Sequence, residues 1–110
     1  MYAIEKNRLR INDVSLDIFG RKIADPAARV EVEAGTTGYT DCDSREGGGR
    51  TYFAVNCRKG DFLVSPLRNE KGRITGFEIS GCGDAALDAL FRALDFARKA
   101  LDDRRYEVKD

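Results

Sequence analysis

Apolar and polar positions alternate at period two along most of the chain before the helix-like C-terminal stretch. Leu9 and Ile11, then Val14, Leu16 and Ile18, alternate with polar neighbours around Asn12-Asp13, which predicts a hairpin or a bent strand. Gly20 and Asp25-Pro26 mark a break. "ARVEVEA" (Ala28 to Ala34) alternates cleanly, with Val30, Val32 and Ala34 on one face. "RTYFAVNC" (Arg50 to Cys57) sets Thr51, Phe53, Val55 and Cys57 inward and Arg50, Tyr52 and Asn56 on the opposite face. Two further strands follow, "FLVSPL" (Phe62 to Leu67) and "RITGFEIS" (Arg73 to Ser80), after the turns "RKGD" and "NEKG". Pro66 has no amide to give a ladder, so its strand belongs at an edge.

From Asp84 the period lengthens. Leu87, Leu90, Leu94, Ala97 and Leu101 recur at three and four, the mark of an amphipathic helix. Asp84 is placed as its N-cap, and Asp88–Arg92, Asp95–Lys99 and Arg98–Asp102 as pairs on its outer side. The elements together predict an α+β fold: an antiparallel meander of about five strands with one C-terminal helix packed on one face. At 110 residues this is one domain, 1–110, with a frayed tail at 106–110. The uncovered sheet face predicts self-association.

Between the third and fourth predicted strands lies "GTTGYTDCDSREGGG", about fifteen residues where hairpin connections take roughly two to five. Its glycines let backbone approach a ligand closely, and runs of free amides favour anions. Arg50, directly after the glycine triplet, has the fork that suits a phosphate, and Tyr52 has a ring for stacking on a base. Thr36, Thr37, Asp43 and Ser44 carry groups suited to ribose. Neither a Walker A loop nor a GxGxxG helix opening is present. The plainer alternatives stay open: a long hairpin connection, a rim arginine and a tyrosine of sheet surface. Near the helix end, Asp102 and Asp103 oppose the macrodipole while Arg104 and Arg105 favour it. This is either a fraying terminus or a contact made by Asp103 and Arg104.

Charge narrows the function classes. Lysine plus arginine number 19 and acids 19, so net charge is zero, which argues against a general nucleic-acid or membrane-surface binder. The chain has no histidine, removing the commonest general base and zinc ligand. Cys42, Cys57 and Cys82 cannot all pair within one chain, and no secretory or membrane segment is evident, so reduced thiols in a cytoplasm are expected. Cys57 and Cys82 are expected in the core and Cys42 in the loop. No cofactor or metal is expected.

The segments "VEVEAGTTGY" and "GGRTYF", with the glycine cluster and the alanine- and leucine-rich helix, resemble the first family of phage Thoeris anti-defence proteins. The resemblance runs from about Val30 to the helix end. It implies a non-enzymatic sponge that sequesters cyclic ADP-ribose isomers made by bacterial TIR-domain proteins. It further implies dimers or hexamers with ligand sites between protomers, and small cyclic oligonucleotides held at separate sites. The positions it carries over are Gly48, Gly49, Arg50 and Thr51, with Phe77, Asp103 and Arg104. The loop departs from the family pattern: "TDCDSREG" stands where a further glycine pair and a histidine belong, with Glu46 at the histidine's place. Ligand preference is therefore not carried over. Two rivals stand beside this reading. One is a protein-interaction module using the sheet face and loop; the other is a nucleotide-degrading enzyme with Asp43 or Glu46 as base.

Overall fold

The computed structural model describes residues 4–24, 27–38 and 49–105. Six strands precede one helix: β1 (Glu5–Ile11), β2 (Val14–Ala24), β3 (Arg29–Thr36), β4 (Thr51–Lys59), β5 (Phe62–Arg68), β6 (Ile74–Gly81) and α1 (Asp84–Asp102). Strands β1 to β4 form an antiparallel sheet in chain order, while among the described residues β5 and β6 pair only with each other. The α+β class and the C-terminal helix follow the sequence pattern. The single meander of about five strands becomes a four-stranded sheet and a separate two-stranded arm. The expected break at Asp25-Pro26, the tail 106–110, Cys42, Asp43, Ser44, Glu46 and Gly48 lie outside the described residues.

Asn12 and Asp13 close the first hairpin with φ of 47° and 67°. Two consecutive left-handed residues of these types suit the right-handed twist of the flanking strands. No break occurs at Gly20: β2 runs through it and changes partners there, pairing with β1 through Gly20 and with β3 from Phe19 to Ala24. The early half of β2 also curls over the sheet face turned away from the helix. A Cβ built on Gly35 would lie 2.3 Å from the Asp17 carbonyl oxygen and 2.8 Å from Ile18 Cγ2, so only glycine admits the curl. Leu16 and Ile18 are buried in consequence. The face expected to be bare is thus partly covered by the chain's own first hairpin. On that hairpin Asp17 lies 3.6 Å from Lys6 and 3.4 Å from Arg8. Partial burial pushes its carboxyl up, but the two cations together outweigh that and hold it below its ordinary value.

The core lies between the other sheet face and α1. Ile23, Val30, Val32 and Ala34 meet Ala89, Ala93, Ala97 and Ala100, with Val55, Cys57, Phe62, Phe96 and Leu101 packed around them. Val30 and Val32 are wholly buried, each contributing about 1.5–3 kcal/mol of apolar burial. The helix therefore docks through its alanines. Leu87 and Leu94, expected inside, are 70% and 60% exposed. Small side chains let the helix approach the sheet closely, and this rotates the leucine stripe out to its flank. Gly83, not Asp84, occupies the N-cap position, and Asp84 sits in the first turn, where a carboxylate suits the dipole. Asp88–Arg92 and Asp95–Lys99 pair at 3.4 Å, whereas Asp102 pairs with Arg105 at 2.8 Å instead of with Arg98. Cys57 packs against the core, where burial pushes its thiol up. Cys82 is exposed rather than buried.

Candidate functional site

The two ends of the glycine-rich segment are tied together where β3 and β4 meet. Beyond the last ladder pair, Thr36 with Thr51, the Thr37 amide donates to the Arg50 carbonyl at 3.0 Å. The Arg50 amide donates to Thr37 Oγ1 at 2.9 Å. Thr37 is buried, and its hydroxyl is used on backbone. Its place is structural, a clasp at the neck of the loop. Just outside, Gly38 turns with φ of 93° and its amide donates to Thr36 Oγ1 at 3.1 Å.

Strand alternation then sorts the neck residues onto two faces. Thr36 and Thr51 point to the helix side, where their hydroxyls lie 2.9 Å apart. Arg50 and Tyr52 point the other way and are half-buried. The Arg50 guanidinium donates from Nε to the Ile11 carbonyl at 3.3 Å and from Nη1 to the Gly49 carbonyl at 3.0 Å, binding the tip of the first hairpin to the neck.

On the helix side a cavity of about 440 Å³ opens between the neck and the last turns of α1. Thr36, Gly38 and Thr51 form one wall; Arg98, Leu101, Asp102 and Arg105 form the other. Helical geometry makes this wall: Arg98, Leu101, Asp102 and Arg105 are three, four and seven apart and share one side. Arg105 Nε holds Asp102 Oδ1 at 2.8 Å, whereas Arg98 makes no ion pair among the described residues. Arg104, on the neighbouring side, places its guanidinium carbon 3.9 Å from the centre of the Phe19 ring. That cation–π contact pins the helix end to β2. Cations at a helix C-terminus are also favoured by the dipole. Two hydroxyls, a small apolar floor and the Arg98 guanidinium, beside an Arg105 held by the Asp102 carboxylate, can together receive a polar, anionic small molecule.

The sequence-derived candidates therefore separate. Thr36 and Thr51 line the cavity. Thr37, Gly49, Arg50 and Tyr52 belong to the clasp and the opposite face. Arg104 stacks on Phe19, and Asp103 is an exposed C-cap whose amide donates to the Lys99 carbonyl at 2.9 Å. Phe77 stands on the β5–β6 arm, 55% exposed and away from the cavity lining. Gly38, Arg98, Leu101, Asp102 and Arg105 are cavity residues not among those candidates. Their signal was the helical spacing of Arg98 and Arg105, which points to a site only once the helix end is known to face the loop neck. Among the described residues no helix is long and apolar enough to cross a membrane. No protein-family model, curated protein or solved structure matches the chain.

Proposed function

We propose that this chain is a non-catalytic binding protein that captures a small cyclic nucleotide of the cyclic ADP-ribose class. In this reading it serves a phage inside the bacterial cytoplasm, withdrawing the signal made by a TIR-domain immune protein. The observation that carries the reading is the cavity at the loop neck, with the Thr36 and Thr51 hydroxyls facing Arg98 and Arg105. Its volume falls in the range of about 300–1,000 Å³ usual for small-ligand sites. Guanidinium groups suit a diphosphate, and paired hydroxyls suit ribose. The resemblance of "AGTTGY" and "GGRTYF" to the anti-defence family supplies the ligand class, and Thr36, Gly38 and Thr51 of these motifs line the cavity. Arg50 enters this proposal as the residue that holds the neck in shape, since its guanidinium serves two carbonyls on the far face.

Calorimetry of the whole chain against a panel of cyclic ADP-ribose isomers tests the proposal. One isomer binds, is released intact on heating, and loses at least tenfold in affinity with Arg98→Ala, in keeping with loss of a charge-assisted bond. Absence of binding by every isomer overturns the proposal; recovery of a hydrolysed product replaces it with the enzymatic reading.

A further inference from the structure

The cavity at the loop neck contains one charge that anion capture alone does not call for. Asp102 lines it together with Arg98 and Arg105. A spacing of four from Arg98 and three to Arg105 sets the carboxylate between the two guanidinium groups on one side of the helix end. Asp102 Oδ1 accepts from Arg105 Nε at 2.8 Å, and both side chains are partly exposed. An ion pair so open to water adds little to stability. A carboxylate in the last helical turn also opposes the macrodipole. Stability therefore gives Asp102 no strong reason to stand here, and its effect falls on what enters the cavity.

Two cations against one carboxylate leave the lining with a single net positive charge. The negative end of the α1 dipole borders the same space. Such a lining attracts an anion of low charge and offers little to one that carries more. A diphosphate esterified at both ends has one ionised oxygen on each phosphorus, about −2 in all. A free terminal phosphate adds a second ionisation with a pKa of about 6, so the charge approaches about −3 at neutral pH. The added charge meets the Asp102 carboxylate. Like unit charges about 5–6 Å apart, at an effective dielectric of about 40–80, change affinity by about threefold to tenfold.

We propose that Asp102 is the specificity-determining residue of the cavity, admitting diphosphates closed by an ester at both ends and rejecting nucleotides with a free terminal phosphate. This rests on the reading of the loop-neck cavity as a nucleotide site. ADP and ATP carry the same base, ribose and diphosphate as the cyclic ADP-ribose class. The hydroxyls of Thr36 and Thr51 and the Arg98 guanidinium therefore meet the same groups in either kind of ligand, and charge is what separates them. Other uses of the same carboxylate make the opposite forecast. If Asp102 only positions Arg105, or accepts a ribose hydroxyl, its loss weakens every ligand.

Calorimetry of the whole chain with ADP-ribose and with ADP gives the test, because these probes share adenosine diphosphate and differ at its far end. Wild type binds ADP-ribose more tightly than ADP. Asp102→Asn, isosteric and uncharged, raises affinity for ADP by about threefold to tenfold more than affinity for ADP-ribose. Asp102→Glu keeps the charge and keeps the wild-type ratio. The shift shrinks in high salt, as screening of an open site requires. Arg98→Ala weakens both probes and so places them in the cavity. An unchanged ratio in Asp102→Asn, or weaker binding of both probes, overturns the proposal. Absence of binding by either probe to any of these proteins does the same. If no cyclic isomer binds while the ratio shifts as expected, the cyclic-nucleotide reading falls and the role of Asp102 stands. If an isomer binds and the ratio does not shift, the reverse holds.

Discussion

Gly35→Ala tests the curl of the first hairpin at its tightest point. The new methyl would fall 2.3 Å from the Asp17 carbonyl oxygen, 2.8 Å from Ile18 Cγ2 and 2.9 Å from Ile18 Cα. Two of these three neighbours are backbone, so no side-chain rotation relieves the overlap. An ordinary carbon–oxygen contact needs roughly 3.2 Å, which requires β2 to lift by close to an ångström. Overpacking of this kind costs about 1–3 kcal/mol, and a backbone clash puts the value near the top of that range. The entropy that alanine removes from the unfolded chain returns only about 0.4–1 kcal/mol. The net expectation is about 2 kcal/mol of lost stability, read as a fall of roughly 1 M in the urea midpoint for a slope near 2 kcal/mol/M. Gly76→Ala is the matched control. It is also a strand glycine, but its added Cβ would sit 3.7 Å from Leu67 Cδ1, an ordinary contact. It should stay within about 0.5 kcal/mol of wild type. If Gly35→Ala unfolds at the wild-type midpoint, β2 does not curl over β3 as described and the buried state of Leu16 and Ile18 needs another cause.

Two further expectations follow from the neck and the first hairpin. Arg50→Ala should lower stability by about 1–2 kcal/mol through loss of the bonds to the Ile11 and Gly49 carbonyls, and Arg50→Lys should recover only part of it. A wild-type thermal midpoint for Arg50→Ala would remove the guanidinium tie between the hairpin tip and the neck as a structural element. Asp17 has a folded pKa lowered from 3.8, so its support of the β1–β2 hairpin is present above that value and is lost as pH falls through the lower folded one. Acid titration of Asp17→Asn should therefore show a shallower loss of stability below pH 3.8 than wild type shows; identical acid limbs would refute the role of Lys6 and Arg8.

Much of the fold was legible because alternation is a local property. Val30, Val32 and Ala34 declared the inner face of β3, and Asn12-Asp13 declared a turn that both residues' positive φ confirms. The rotation of the helix was not legible. A periodicity argument ranks side chains by size, so it sends Leu87 and Leu94 inward, whereas close approach to β3 selects the alanines. Leu87 and Leu94 stand instead exposed on the helix flank. The arm was equally hidden, because "FLVSPL" and "RITGFEIS" read as any hairpin does until its separation from β4 is seen. Of the candidate site, Thr36 and Thr51 were reached through the loop they flank. Arg50 and Tyr52 were assigned to the opposite face correctly, but their use there depends on a hairpin tip thirty-nine residues away in the chain. Arg98 and Arg105 needed the tertiary placement of the helix end.

The clasp between Thr37 and Arg50 has a consequence for how such a protein varies over time. Because both strands are already paired at the neck, the segment between them is free to change in sequence and length without re-registering the sheet. Doubling a loop whose ends are held adds only about 0.6 kcal/mol of closure entropy. Selection can therefore rewrite that segment while Thr36, Thr51 and the helix end keep their positions. Changes in that segment and changes in the stability of the fold are then inherited separately.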